Sequence, residues 1–322
     1  DIVKSSDAAN HLLSLTVAVY RSLVTAGIAL TGGDQITLAD TAANLQGLSV
    51  SEITALDAAG VDAFDATGAT ANNPITLTYA QAAALGHIVV DAGDTLTVTC
   101  STAELALADI TALKANGVDI VKSSDAANHL LSLTVAVYRS LVTAGIALTG
   151  GDQITLADTA ANLQGLSVSE ITALDAAGVD AFDATGATAN NPITLTYAQA
   201  AALGHIVVDA GDTLTVTCST AELALADITA LKANGVDIVK SSDAANHLLS
   251  LTVAVYRSLV TAGIALTGGD QITLADTAAN LQGLSVSEIT ALDAAGVDAF
   301  DATGATANNP ITLTYAQAAA LG

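Results

Sequence analysis

Methionine and tryptophan are absent, and aromatic residues make up only 3% of the 322 residues. The 52% hydrophobic content is therefore carried largely by alanine and the branched aliphatics. That is enough to bury a core, and a charged fraction of 12% argues against disorder. Bases are scarce as well: 8 Lys and Arg stand against 32 Asp and Glu, a net charge of −24. Such a surface repels DNA, RNA and anionic lipid, so neither a nucleic-acid partner nor membrane insertion is expected. No apolar run reaches the ~20 residues of a membrane helix. Two cysteines in a chain this long are no disulfide framework. No G-x-S-x-G, H-E-x-x-H, Walker or C-x-x-C motif occurs, and no Ser, His and Asp spacing selects a triad. His11 and His87 lack metal-ligand spacing with Cys100.

What is present is repetition. The segment beginning Asp1-Ile2-Val3-Lys4 returns at Asp119 and again at Asp237, a period of 118 residues without substitution. The chain divides into copy 1 (1–118), copy 2 (119–236) and a partial copy 3 (237–322). Each full copy carries 12 acids and three bases. Arrays of this kind pack each unit mainly on its neighbours, and every chemical group is copied along them, which favours a structural or binding role over an enzyme. Asp1 falls inside a predicted strand and Gly322 at a predicted helix end in mid-unit, neither with a polar cap. The expectation is a slice of a longer polymer in one continuous array.

Smaller units lie inside the large one. Four segments read as helix, glycine, short strand, with the glycines at Gly27, Gly60, Gly86 and Gly117, where a helix C-cap takes the left-handed conformation. Ser49 with Glu52, Thr78 with Gln81 and Ser101 with Glu104 have capping-box spacing. A second strand type alternates aliphatic residues and threonine: Ile36–Leu38, Ile75–Thr78, Leu96–Thr99 and Leu133-Thr134-Val135. The Ala-rich stretches 40–46 and 101–106 add short helices. Two strands per principal helix reconcile the ~4.8 Å strand spacing with the ~8–10 Å helix spacing. The predicted fold is therefore α/β: an elongated solenoid of short strands in a continuous sheet, with Ala-rich helices on one face.

Two residue sets are candidate sites. Asp34, Asp40, Asp91 and Asp94 stand beside the glycine turns and are the candidate calcium ligands, since calcium takes six to eight closely spaced oxygens. The Gly32-Gly33-Asp34 turn departs from the calcium-binding nonapeptide, which has a further glycine and aspartate; the bland alternative is an aspartate capping its own turn. Thr76, Thr78, Thr97 and Thr99 form Thr-x-Thr pairs that would make a hydroxyl-bearing surface for self-association or, as in ice-binding solenoids, for a repeated ligand. Threonine is also an ordinary solvent-side strand residue.

The acidic Ala/Thr/Gly/Asp-rich repeats, such as Ala92-Gly93-Asp94-Thr95-Leu96-Thr97-Val98-Thr99, together with the missing Met and Trp, resemble very large repetitive bacterial surface proteins: adhesins, matrix fibres and surface-layer-like filaments. The resemblance implies export to the cell exterior and a role in attachment, sheath or biofilm, with copies of the chain itself as partners and no catalytic residue. The first functional expectation is a structural filament or stalk. The second is an adhesin or ice binder with repeated sites. An engineered repeat would share the perfect identity, but the unequal spacings, lone cysteine and irregular loops are not idealised.

Cys100 shares the strand face of Leu96 and Val98 and is expected to behave as a small buried hydrophobe. Cys100 and Cys218 are then expected to stay unlinked, because about four helix-and-strand units separate them and a disulfide needs Cα atoms within ~7 Å. Peptide mapping by mass spectrometry after native alkylation should recover two separate thiols; a Cys100–Cys218 bridge would overturn this geometry.

Overall fold

The computed structural model describes residues 1–70, 72–308 and 310–321. Gly322, where a helix end was expected, lies outside them. The chain separates into two compact units, Asp1–Thr155 and Leu156–Gly322. Both are mixed α/β, with short strands alternating with helices.

In the first unit the order is β1 (Ile2–Val3), β2 (Leu12–Leu15), α1 (Val17–Ala26), β3 (Ala29–Leu30), β4 (Gln35–Thr41), α2 (Ala42–Gln46), α3 (Val50–Ala58), β5 (Val61–Thr67), β6 (Ile75–Thr78), α4 (Tyr79–Ala83), β7 (Val89–Val90), β8 (Leu96–Cys100), α5 (Thr102–Leu107), α6 (Ile110–Ala115), β9 (Val118–Ser123), β10 (Leu130–Leu133), α7 (Val135–Ala144) and β11 (Ala147–Leu148). The short helices expected after Asp40 and Ser101 are α2 and α5. All three capping boxes form, each with the N-cap hydroxyl and the Glu or Gln side chain satisfying one another's backbone amide.

Every strand pairing described in this unit is parallel, and neighbours follow chain order from one turn to the next. The sheets run β1-β3, β2-β4-β5-β7 and β6-β8-β9-β11. In-register pairing stacks like on like. Leu38 lies beside Phe64 and Phe64 beside Val90; Leu77 lies beside Val98 and Val98 beside Val121. All six side chains are buried. The helices close the strand faces, α2 against β4, β5 and β6, and α4 against β6 and β8. The second unit repeats this arrangement, with sheets that include Ile193–Thr196, Leu214–Cys218, Val236–Ser241 and Ala265–Leu266 in that order.

The strands do not form the single continuous sheet expected; they fall into separate sheets of two to four strands. The cause is local. β7 and β3 are only two residues long and end in a turn, so a strand such as β5 pairs with β7 only at Ala63 and Phe64. The chain then turns at Gly68 (φ 79°) and through a Thr70–Asn73 bridge before β6 opens the next sheet. Leu133-Thr134-Val135 is not one strand either. Leu133 ends β10, Thr134 is the N-cap whose hydroxyl accepts the Val137 amide, and Val135 begins α7. A Thr after a short aliphatic strand is as good a cap as a strand residue, and the following helical run decides it.

The four expected glycines all adopt positive φ, from 57° at Gly86 to 94° at Gly117. Two are constrained twice over. A Cβ at Gly117 would lie 2.9 Å from the Val90 carbonyl oxygen, and one at Gly86 would collide with the Asp57 carboxylate. Gly27 has open space around it. Gly27→Ala should therefore cost only the left-handed backbone penalty, about 1–2 kcal/mol, whereas Gly117→Ala adds a steric clash with the preceding turn. Denaturant unfolding of the two variants should show the greater loss for Gly117→Ala; equal losses would mean that the close approach to Val90 is not maintained.

Candidate functional site

The aspartates beside the turns act chiefly as acceptors for backbone amides of the preceding turn. Where β3 ends at Leu30, Asp34 follows four residues later, and its Oδ2 accepts the Ser5 amide at 2.6 Å, two residues beyond the last paired residue of β1. Asp94 repeats this after β7, accepting the Ala66 amide at 2.6 Å. Asp212 does so at Ala184 and Asp270 at Ser241, both at 2.6 Å. The carboxylate thus takes the amide that the two-residue strand is too short to reach.

A second set sits at bulges. The β4–β5 register slips between Ile36 and Thr37, leaving Asp62 as the extra residue, and its Oδ2 accepts the Ile36 amide at 2.8 Å. Asp119 fills the same role between β8 and β9, accepting from Leu96 at 3.1 Å. Asp298 and Asp237 repeat both in the second unit. A bulge leaves one ladder donor without its carbonyl, and aspartate supplies the substitute oxygen. Hydrogen bonds to a charged acceptor contribute about 1.5–3 kcal/mol each.

Of the four aspartates read as calcium ligands, Asp34 and Asp94 belong to this scheme. Asp40 accepts the first amide of α1, Val17, at 3.0 Å and holds Thr41 and Asn44 with its other oxygen. Asp91 closes its own turn on the Gly93 amide at 2.8 Å. The carboxylates are directed at amides rather than at a common point, and no group of three or more metal-ligating side chains occurs among the described residues.

The threonines divide as well. In register, Thr97 lies between Thr76 and Ile120, and Thr99 between Thr78 and Lys122. Thr97 is only 5% exposed, Thr76 and Thr99 are half-buried, and Thr78 is exposed but serves as the N-cap of α4. The Thr99 hydroxyl donates to the Leu77 carbonyl. These residues bring no flat, open hydroxyl array to the surface.

No histidine carries a motif in the sequence, yet all five histidines face an aspartate of another turn. His87 and His205 are almost fully exposed, 3.3 Å from Asp57 and Asp175. His11, His129 and His247 are half-exposed and adopt φ of 53–55°, a left-handed conformation uncommon outside glycine. Their Nδ1 atoms lie 3.4, 3.6 and 3.8 Å from Oδ1 of Asp34, Asp152 and Asp270, whose side chains are at most 1% exposed. Those three Oδ1 atoms are buried without a hydrogen-bond partner. The pairing joins residues 23 apart, a separation set by the length of one turn and invisible to local motif reading.

Other chemistry is sparse. Burial, reinforced by Glu104 and Asp152, pushes the Cys100 thiol up to about 12, so it is not a poised nucleophile. A groove of about 650 Å³ runs between α6 and α7, lined in part by Asp109, Thr111, Lys114 and Ser140. The Lys114 ammonium there is already bonded to Asp119 and the Val118 carbonyl. No family model matches the chain, and no curated protein is similar to it.

Burial raises the Asp94 carboxyl above its ordinary 3.8, and Asp65 and Asp91 add to the shift against the lowering effect of the Ala66 amide. Asp212 is shifted the same way. An acid with a raised folded pKa destabilises the fold while ionised; the penalty holds above that pKa and fades as pH falls toward 3.8. Asp94→Asn with Asp212→Asn is thus expected to raise the melting temperature at pH 7, by about 2–4 °C for each kcal/mol relieved, and the gain should vanish near pH 4. A lower melting temperature at pH 7 would mean that the charged bond to the amide outweighs the burial cost.

Proposed function

We propose that this chain is a structural segment of a long extracellular filament or stalk, in which the turns stack on one another as an elongated solenoid running through successive copies. One observation carries the reading: the hydrogen-bonding devices that join turn to turn recur at the 118-residue period. Asp34 on Ser5 returns one period later as Asp152 on Ser123 and two periods later as Asp270 on Ser241, and Asp62 on Ile36 returns after two periods as Asp298 on Ile272. Most of the distinctive side-chain chemistry thus goes into joining turns, which suits a load-bearing or spacing element better than a catalyst. The acidic surface keeps such an array soluble outside the cell. Its partners are further copies of itself, continued end to end and associated laterally. A repeated ligand site on the threonine rows has less support, because Thr97 lies inside and Thr78 caps a helix.

The junction Lys114–Asp119 passes from α6 through Gly117 into β9 without a linker. Limited proteolysis of the native protein should accordingly give no ladder of 118-residue steps, and electron micrographs of native material should show long uniform fibres. A clean 118-residue ladder would identify separate beads, and isolated short rods ending in a distinct head would favour an adhesin.

A further inference from the structure

The geometry points to a cation site for an imidazole-preferring divalent metal such as zinc, formed once per copy by His11 with Asp34, His129 with Asp152 and His247 with Asp270. Three features coincide at each site. The carboxylate is buried, with side-chain exposure of 1%, 0% and 0%. One of its oxygens is bonded to a backbone amide, of Ser5, Ser123 or Ser241, while the other has no hydrogen-bond partner. The atom facing that oxygen is a histidine Nδ1, at 3.4–3.8 Å.

A buried carboxylate oxygen without a donor is costly, and buried charges are ordinarily paired or bound to a metal. The separation suits a shared ion. Two ligands on one tetrahedral zinc, each bonded at about 2.0–2.1 Å, stand about 3.3 Å apart. A shift of a few tenths of an ångström closes the observed pairs to that distance. In the bound form the neutral imidazole coordinates through Nδ1 and keeps its proton on Nε2, and solvent supplies the remaining ligands. The histidine main chain is also held in place. The His11 amide donates to the Asp7 carbonyl at 2.9 Å, and the His11 carbonyl accepts the Gln35 amide at 2.9 Å. The ion would bridge the loop after one strand to the turn before a strand of the next, adding a metal cross-link to the amide bonds already described.

His87 with Asp57 and His205 with Asp175 serve as internal controls. Their rings are 98% and 97% exposed, and their carboxylate oxygen already accepts the histidine's own backbone amide at 2.8 Å. They lack the orphaned buried oxygen and should not bind.

Zinc chloride titrated into the full chain, followed by calorimetry and by ¹⁵N NMR of the imidazoles, tests the assignment. Three zinc ions per chain are expected, with Nδ1 resonances of three of the five histidines shifting and a tenfold excess of calcium failing to compete. His11→Gln, His129→Gln and His247→Gln together should abolish binding, whereas His87→Gln with His205→Gln should leave three ions bound. No saturable binding, five ions per chain, competition by calcium, or undiminished binding to the folded triple variant would each overturn the proposal. The NMR shifts are read on the unsubstituted chain and decide the matter even if the triple variant fails to fold.

Discussion

A carboxylate accepting a backbone amide from the preceding turn is the interaction on which the other features of this structure depend. Parallel strands joined by helices can pair only over the residues that each turn keeps extended, and here some turns extend only two. Amides just beyond those strands would be left without partners in a largely buried setting. Asp34 and Asp94 take them at strand ends, Asp62 and Asp119 take them at bulges, and Asp40 takes one from the first turn of a helix. Aspartate suits the task because its short side chain keeps the oxygens close to the backbone, within reach of a strand ~4.8 Å away.

This arrangement gives the acidic composition a structural origin alongside its effect on solubility. Much of the −24 charge sits on residues that connect turns. Arg21 reaches Glu52 of the next turn at 2.8 Å, and that contact, with the Ser49 cap, holds the Glu52 carboxyl down at about 2. Asn116 and Gln81 do related work with neutral amides. Asn116 donates to the Gly86 and Ile88 carbonyls, and Gln81 to those of Gln46 and Leu48. A fold so assembled needs few aromatic anchors; Phe64 and Tyr20 are exceptions within a core of Ile, Leu and Val.

The helix caps, the left-handed glycines and the alternating strands were legible in the sequence because each depends on residues within about four positions of one another. Ser49 and Glu52, Thr78 and Gln81, and the glycines from Gly27 to Gly117 carry their geometry locally. Leu133-Thr134-Val135 was misread because alternation over three residues does not separate a strand end from a helix cap. The feature that marks the aspartates in the sequence, an acid beside a glycine turn, is shared by a cation ligand and an amide acceptor. Which one it serves depends on what the preceding turn places opposite it.

The sequence by itself determined the period, the mixed α/β character and the boundaries of most helices, since hydrophobic periodicity and capping act over a few residues. Only the tertiary structure decided that the strands divide into separate sheets, that Thr97 lies inside while Thr78 is taken by a cap, and that His11 faces Asp34. Each of these depends on the register between segments 21–30 residues apart in the chain. That register is set by how many residues each turn uses to climb one strand spacing, through its loops, bulges and helix lengths together, and no local pattern in the chain records the sum.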